Sequence, residues 1–279
     1  RRIEATEHHD GLILAIAFES VVKLVAFLFV GAFVTWGMFG GFGDLAARVA
    51  SSPKLTHLFL SGADGPLWVT ISGLAFAAAI CLPRQFHVAI VENAGEGDLR
   101  RAAWLFPLYL IVINIFVVPV AVAGLSLFPE GDVSGDLFVI ALPMAAGQNL
   151  VALVAFIGGF SAATGMVIVS CVALSTMVSN DLVMPIVLHG RRLGLGDRND
   201  MGAVIIAIRR IAIVAVMLLG YGYCRVAGSG PGLAAIGLLS FAAIAQFAPP
   251  RIGGLAWRGG NAIGAIAGVV VGFVLWAYC

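Results

Sequence analysis

Charged side chains stand inside the apolar stretches of this sequence, and the first two of them are Glu19 and Lys23. Residues four apart share one face of a helix, and an acidic residue before a basic one is the more favourable order. Since an unpaired charge in lipid costs several kcal/mol, this face is expected to point into the protein. Two interpretations stay open: a proton relay or binding-site wall, and a structural ion pair that fixes helix packing.

Small polar residues interrupt the second apolar stretch at Thr70, Ser72 and Gly73. A helix broken at such a point exposes backbone groups that hold ions or substrate in transporters, which makes these three residues substrate-path candidates. The alternative is a close helix crossing that needs small side chains. The sequence leaves both interpretations open.

A third group of small and polar residues runs from Gly158 to Met166. Ser161 and Thr164 share a helix face, and hydroxyls together with freed carbonyls supply the oxygen ligands that a hard cation prefers. The alternative is again a packing seam of small residues. Further along, Ser179, Asn180 and Asp181 are expected at the inner end of the same stretch, where they line an exit path or cap the helix.

The composition excludes most other functions. Apolar residues make up 61% of the 279 positions and charged residues 11%, against about a quarter in soluble domains. The net charge of +1 provides no basic face for nucleic acid. Because the sequence shows no phosphate loop, catalytic triad or metal-ligand spacing, we expect a non-enzymatic chain with no cofactor and no metal site beyond a coupling ion. The cysteines are expected to be small buried hydrophobes: Cys81, Cys171, Cys224 and Cys279.

These residues must be positioned by helices that cross a membrane, since a bilayer core needs about 20 apolar residues in helical form. The sequence predicts an all-α polytopic membrane protein with seven spans: Gly11–Met38, Pro66–Leu82, Ala102–Leu127, Leu150–Leu188, Ala203–Cys224, Pro231–Phe247 and Asn261–Cys279. A short outer helix is expected before the fourth span, separated from it around Pro143–Gly147. We interpret residues 1–279 as one transmembrane domain truncated at both ends.

Basic residues segregate when these spans alternate. Twelve fall on one side: Arg1, Arg2, Arg84, Arg100, Arg101, Arg191, Arg192, Arg198, Arg209, Arg210, Arg251 and Arg258. The other side holds Arg48, Lys54 and Arg225, together with the acidic loop of Glu130, Asp132 and Asp136. By the positive-inside rule the N-terminal end is cytoplasmic, in a plasma membrane of bacterial type.

Several blocks resemble a known family. Phe18–Leu24 (FESVVKL) resembles the sodium/solute symporter family. Leu82–Val88 (LPRQFHV), Val91–Asn93 (VEN) and Ala173–Leu182 (ALSTMVSNDL) resemble the transporter-like sensor domain of CbrA-type membrane histidine kinases. The resemblance covers most of the chain and is weakest over the last two spans.

The resemblance implies a partial LeuT-like fold, in which the first span closes repeat one, spans two to six form repeat two, and the seventh is an extra helix. Typical sodium-coupled members carry two adjacent hydroxyls at positions that correspond here to Gly165 and Met166. This departure weakens the expectation of a sodium site and leaves a proton open as coupling ion. Ala162 and Thr164 are carried over as ion-site candidates, with Ser161 beside them.

The expected function is therefore a membrane-embedded transporter or sensor of a small organic solute, an amino acid by family analogy. In the parent protein it is expected to report to a cytoplasmic histidine kinase downstream of Cys279. Two alternatives remain: a free-standing ion-coupled symporter without a kinase, and a non-transporting membrane scaffold for a signalling domain. The expected partners are the solute, the lipid bilayer and that kinase domain, with no nucleic acid.

Overall fold

The computed structural model describes residues 10–60, 65–91, 93, 95–129, 131, 133–189, 201–227, 232–257 and 259–278. Within these ranges the chain is helical and contains no strand. The α-helices are α1 Asp10–Ala32, α2 Phe42–Ser51, α3 Pro53–Leu60, α4 Gly65–Cys81, α5 Pro83–Phe86, α6 Glu96–Asn114, α7 Val117–Leu127, α8 Phe138–Ala145, α9 Asn149–Met177, α10 Met184–His189, α11 Met201–Ala227, α12 Leu233–Ala245, α13 Ala248–Ala256 and α14 Ala262–Tyr278. Several predicted charges lie outside the described residues: Arg1, Arg2, Glu130, Asp132, Arg191, Arg192, Arg198 and Arg258.

Five stretches in the described part of the chain are long and apolar enough to cross a membrane, which makes this a multi-pass membrane protein. They are Ile13–Met38, Gly97–Leu127, Asn149–Ile186, Ile205–Val226 and Leu233–Ala256. A sixth arises when the bent pair Gly65–Cys81 and Pro83–Ile90 is taken as one span. The predicted seventh corresponds to α14, which is described over 17 residues and is shorter than the others. The all-α membrane class is confirmed, and the count of seven stays a prediction.

Three spans carry short π-helical segments at or near one end. These segments are Phe33–Met38 after α1, His87–Val91 after α5, and Val178–Val183 after α9. A π-helical turn inserts an extra residue into the hydrogen-bond ladder, and such turns are frequent at functional sites. The third segment contains Ser179, Asn180 and Asp181, which the sequence analysis had placed at the foot of this span.

The best-packed region lies where the C-terminal end of α1 meets α2, α3, α7, α8 and the start of α9. Val30, Val34 and Leu142 are fully buried in it. Two glycines permit the close approach: a methyl group at Gly31 would collide with Phe116, and one at Gly124 would collide with Phe138. This cluster fixes the position of the C-terminal end of α1. The polar residues of the span lie on the same helix, so their position depends on this packing.

The expected short helix before the fourth span is present. The chain runs through α8, turns at Ala146–Gly147, and starts α9 at Asn149. Gly147 has a φ of +69°, a left-handed conformation that glycine adopts without the Cβ clash of other residues. The turn at this point is therefore tied to the glycine that the sequence analysis marked.

The broken helix, one of the two interpretations left open at Gly73, is not observed, because α4 continues through that residue without interruption from Gly65 to Cys81. A single glycine costs a helix only about 1 kcal/mol. The bend of 52° comes later, between Cys81 and Pro83. Proline lacks an N–H and clashes with the carbonyl four residues before it, so the break falls there.

Arg251 of α13 braces this bend. Its guanidinium Nη1 donates a hydrogen bond to the carbonyl oxygen of Ile80, in the last turn of α4. The same guanidinium lies over the ring of Phe86 in α5, 4.7 Å from the centroid. Since the last carbonyls of a helix have no intrahelical partner, the arginine supplies a donor where the chain has lost one. One side chain thus contacts both arms of the bent helix.

Candidate functional site

The candidate site lies where α1 crosses α9, the most extensive helix pairing in the described part of the chain. The two helices run antiparallel, because Gly158 lies against Ala26 whereas Gly165, further along α9, lies against Glu19, earlier in α1. This relative direction agrees with the predicted alternation of the first and fourth spans. Gly158, Ser161 and Gly165 recur at helical spacing and form the face of α9 that meets α1.

The Glu19 carboxylate fills the space beside Gly165. A methyl group at Gly165 would collide with Oε2 of Glu19. Glu19 is half-buried and comes six residues after the start of the span Ile13–Met38, about 9 Å along the helix. A carboxylate thus stands inside a membrane span, against the backbone of a second span near that span's middle.

Ser161 connects the same two helices. Its hydroxyl donates a 3.3 Å hydrogen bond to the backbone carbonyl of Glu19. Thr164, half-buried and beside Gly165 in the chain, donates to the carbonyls of Phe160 and Ser161, both at 3.0 Å. Ala162 is also half-buried and offers only backbone atoms. The structure therefore gathers the carboxylate, two hydroxyls and several carbonyls on two turns of α9 and the facing turn of α1.

Glu19 and Lys23 share a face of α1, as their spacing predicts, but they meet different neighbours. The Lys23 ammonium lies over the ring of Tyr109 in α6, 5.9 Å from its centroid. The Tyr109 hydroxyl donates a 3.3 Å hydrogen bond to the carbonyl of Ser20. Within the described ranges the salt bridge is Arg48–Asp44, at 3.4 Å on the exposed side of α2. Cation–π contact and hydrogen bonding therefore hold α6 against α1 beside the carboxylate.

Thr70, Ser72 and Gly73 lie on an exposed part of α4. The Thr70 hydroxyl donates to the carbonyl of Pro66 in its own helix, at 2.9 Å. A methyl group at Gly73 would meet no atom within 4 Å, so no close crossing needs the glycine. Neither predicted reason for this cluster is visible, and the fold places it apart from the α1–α9 crossing.

A second polar position lies at the far end of α9. Ser179 is fully buried in the π-helical segment, and its hydroxyl has no hydrogen-bond partner among the described residues. The segment packs against α11, where the buried Nε of Arg209 also has none within that part of the chain. Asn180 and Asp181 are exposed. Donors left open in this way favour hydration at the C-terminal end of this span, since buried polar groups are otherwise satisfied.

Sequence reasoning missed Tyr109 and the contact between Glu19 and Gly165. Tyr109 stands in an apolar run with no neighbouring polar residue to mark it. Glu19 and Gly165 were both singled out, but a spacing along the chain does not tell which spans touch. The contact could have been inferred from Gly165, which has no side chain at a position where the resembling family carries a hydroxyl.

Among the described residues, no group of three or more His, Cys, Asp or Glu side chains is arranged to hold a metal ion. No family model, curated protein or solved structure matches the chain.

Proposed function

We propose that this chain is the membrane portion of an ion-coupled solute transporter or solute sensor, in which the Glu19 carboxylate at the α1–α9 crossing carries the coupling proton. The observation that carries the proposal is the position of this carboxylate against Gly165. An ionised carboxylate costs about 2.5–3.5 kcal/mol at the centre of a membrane span and less towards its ends, so Glu19, six residues into its span, carries part of that cost. A proton removes that cost, and movement of the helices changes it, so the two processes are thermodynamically linked.

The neighbouring groups favour a proton over sodium. A sodium site needs several oxygen ligands around one point. At the two positions where the resembling family places hydroxyls, this chain has Gly165 and Met166, and Met166 is 53% exposed. The hydroxyls of Ser161 and Thr164 donate to backbone carbonyls. A single carboxylate can carry a proton without a complete set of oxygen ligands around it.

The same contacts describe how the helices separate. Ser161 is joined to α1 by one hydrogen bond to a carbonyl, and Tyr109 by another. Each is worth only about 0.5–1.5 kcal/mol, so neither hydrogen bond by itself prevents a shift of α1. A solute changes this equilibrium only when it binds one arrangement more tightly than the other. By the family resemblance the solute is an amino acid or a similar small organic molecule.

The test is uptake of labelled amino acids by the full-length parent protein in proteoliposomes. An imposed pH gradient, acid outside, is expected to drive accumulation, whereas a sodium gradient at equal pH is not. Glu19→Gln keeps the size of the side chain and removes its ionisation, so accumulation driven by the pH gradient should disappear while exchange without a gradient persists. Asp44→Asn is the matched control, because Asp44 is an exposed acid on α2, away from the crossing.

Sodium-driven uptake that survives Glu19→Gln would reject the proton and point to the backbone and hydroxyl oxygens around Thr164. Absence of uptake in every condition, with no effect of Glu19→Gln or Thr164→Ala on signalling, would favour a scaffold without transport. The sensor and the free-standing symporter are distinguished by the gene beyond residue 279. A phosphorylatable histidine and an ATP-binding domain there would identify the sensor.

A further inference from the structure

An open cavity of about 550 Å³ lies between the bent α4–α5 pair, the α12–α13 pair and α14, with Met177 at the end of α9 also lining it. This volume is within the range of 300–1,000 Å³ that is typical of ligand pockets. Its walls are apolar, including Phe247, Ala265 and Val269, and Arg251 is the one charged residue among those that line it. The cavity is separate from the α1–α9 crossing and plays no part in the proposed transport step.

Arg251 is held in place by two contacts, and most of its N–H donors remain unused among the described residues. The contacts with Ile80 and Phe86 fix the orientation of its guanidinium, and the hydrogen bond to Ile80 uses one of five N–H donors. No carboxylate forms a salt bridge with Arg251 in the part of the chain that the structure describes. A positive charge in a membrane domain needs an anion or water, and this one stands on the cavity wall.

Part of the apolar wall runs along one helix and offers an acyl chain a continuous apolar surface. Ala265, Ile266, Val269 and Val270 follow the first turns of α14, and they span about 8 Å along the helix. Helix α14 packs against α13, which carries Arg251. Arg251 also belongs to the basic group that the positive-inside rule predicts at the inner surface, where anionic lipid headgroups lie.

We propose that this cavity binds one anionic phospholipid of the bilayer, with its phosphate at the Arg251 guanidinium and an acyl chain along α14. The phosphate accepts the unused N–H donors, for which the planar guanidinium is well matched. The chain covers apolar surface that water would otherwise contact. The occupant therefore reinforces the residue that braces the bend between Cys81 and Pro83.

The experiment is native mass spectrometry of the full-length protein with phosphatidylglycerol or diacylglycerol of identical acyl chains, which differ in the phosphate headgroup. Wild-type protein is expected to retain one phosphatidylglycerol at least about tenfold more tightly than diacylglycerol, the ratio typical of one charge-assisted hydrogen bond. Arg251→Gln should remove the preference and leave diacylglycerol binding unchanged. Ala265→Phe fills the cavity with the arginine intact and should lower binding of both lipids.

Arg48→Gln is the matched control. Arg48 also lies over an aromatic ring, 4.8 Å from the centroid of Phe39, but it is paired with Asp44 and lies outside the cavity. Equal affinity of wild-type protein for the two lipids overturns the proposal, and so does full phosphatidylglycerol retention by Ala265→Phe. An equal loss in Arg48→Gln and Arg251→Gln also overturns it, because the effect would then be general charge. If Arg251→Gln does not fold, the wild-type comparison and Ala265→Phe still decide.

Discussion

Replacing Gly165 by alanine tests the contact on which the proposed function depends. The added methyl group would collide with the Glu19 carboxylate, so either the carboxylate or α9 must move. Gly159, on the same helix, provides the matched control, because a methyl group there meets no atom within 4 Å. Both substitutions replace glycine by alanine in the same span. They differ in the atoms that the added methyl group meets.

The magnitude follows from two terms. Alanine in place of glycine in a helix interior stabilises by about 0.5–1 kcal/mol, and both variants gain this term. Overpacking a filled site costs about 1–3 kcal/mol. Only Gly165→Ala carries such a cost, and it stays near the lower end of this range because the atom that the methyl group meets is the end of the flexible Glu19 side chain, which can turn away. We therefore expect Gly159→Ala to be slightly stabilising and Gly165→Ala to be less stable than it by about 1 kcal/mol.

The assay is unfolding in mixed detergent micelles, followed by circular dichroism, as a double-mutant cycle with Glu19→Ala. Shortening the glutamate removes the carboxylate that the methyl group meets, so the double variant should recover most of the loss, with a coupling energy of about 0.5–1 kcal/mol. Equal stability of the two alanine variants would refute the contact. A Gly165→Ala penalty that persists in the Glu19→Ala background would place the clash elsewhere.

Three further outcomes are expected. Gly73→Ala should leave uptake unchanged and stabilise by about 0.5–1 kcal/mol, because the helix is continuous there and the added methyl group is unopposed; lost uptake would restore the substrate-path role. Gly124→Ala should destabilise by about 1–3 kcal/mol in the same micelle assay, and Phe138→Ala in the same chain should relieve the collision. A cysteine at Glu130, in a background without native cysteines, should react with an impermeant reagent added outside intact cells; labelling only from the inside would reverse the predicted orientation.

The membrane class could be predicted because its signal is local. A span is apolar over about 20 residues whatever it packs against, and the five long stretches coincide with predicted ones to within a few residues at most ends. The sixth predicted span shows where this signal is weak. It was expected to end at Phe247, but the apolar stretch continues through α13 to Ala256, after a turn at Gln246–Phe247.

The site could be predicted only in its parts. Glu19 and Ser161 were found because polar residues stand out in apolar runs, but their meeting depends on how α1 crosses α9. Gly73 and Pro83 show a different failure. Both are helix-weakening residues, and the larger cost of proline decided where the bend falls. The hydrogen bond from Arg251 to Ile80 joins residues 171 positions apart, and no periodic pattern in the sequence predicts such a pair.

The position of Arg251 has a mechanical consequence. With one contact on α4 and one on α5, the guanidinium bridges the two helices across the bend. If α5 rotates relative to α4, either α13 moves with it or the Arg251 side chain loses one of its two contacts. Because α13 packs against both α4 and α14, a change of the bend is also transmitted to α14, in addition to α9, against which α5 packs. The tilt of α14 is then expected to follow the angle between α4 and α5. A spin label on α14 measures this tilt.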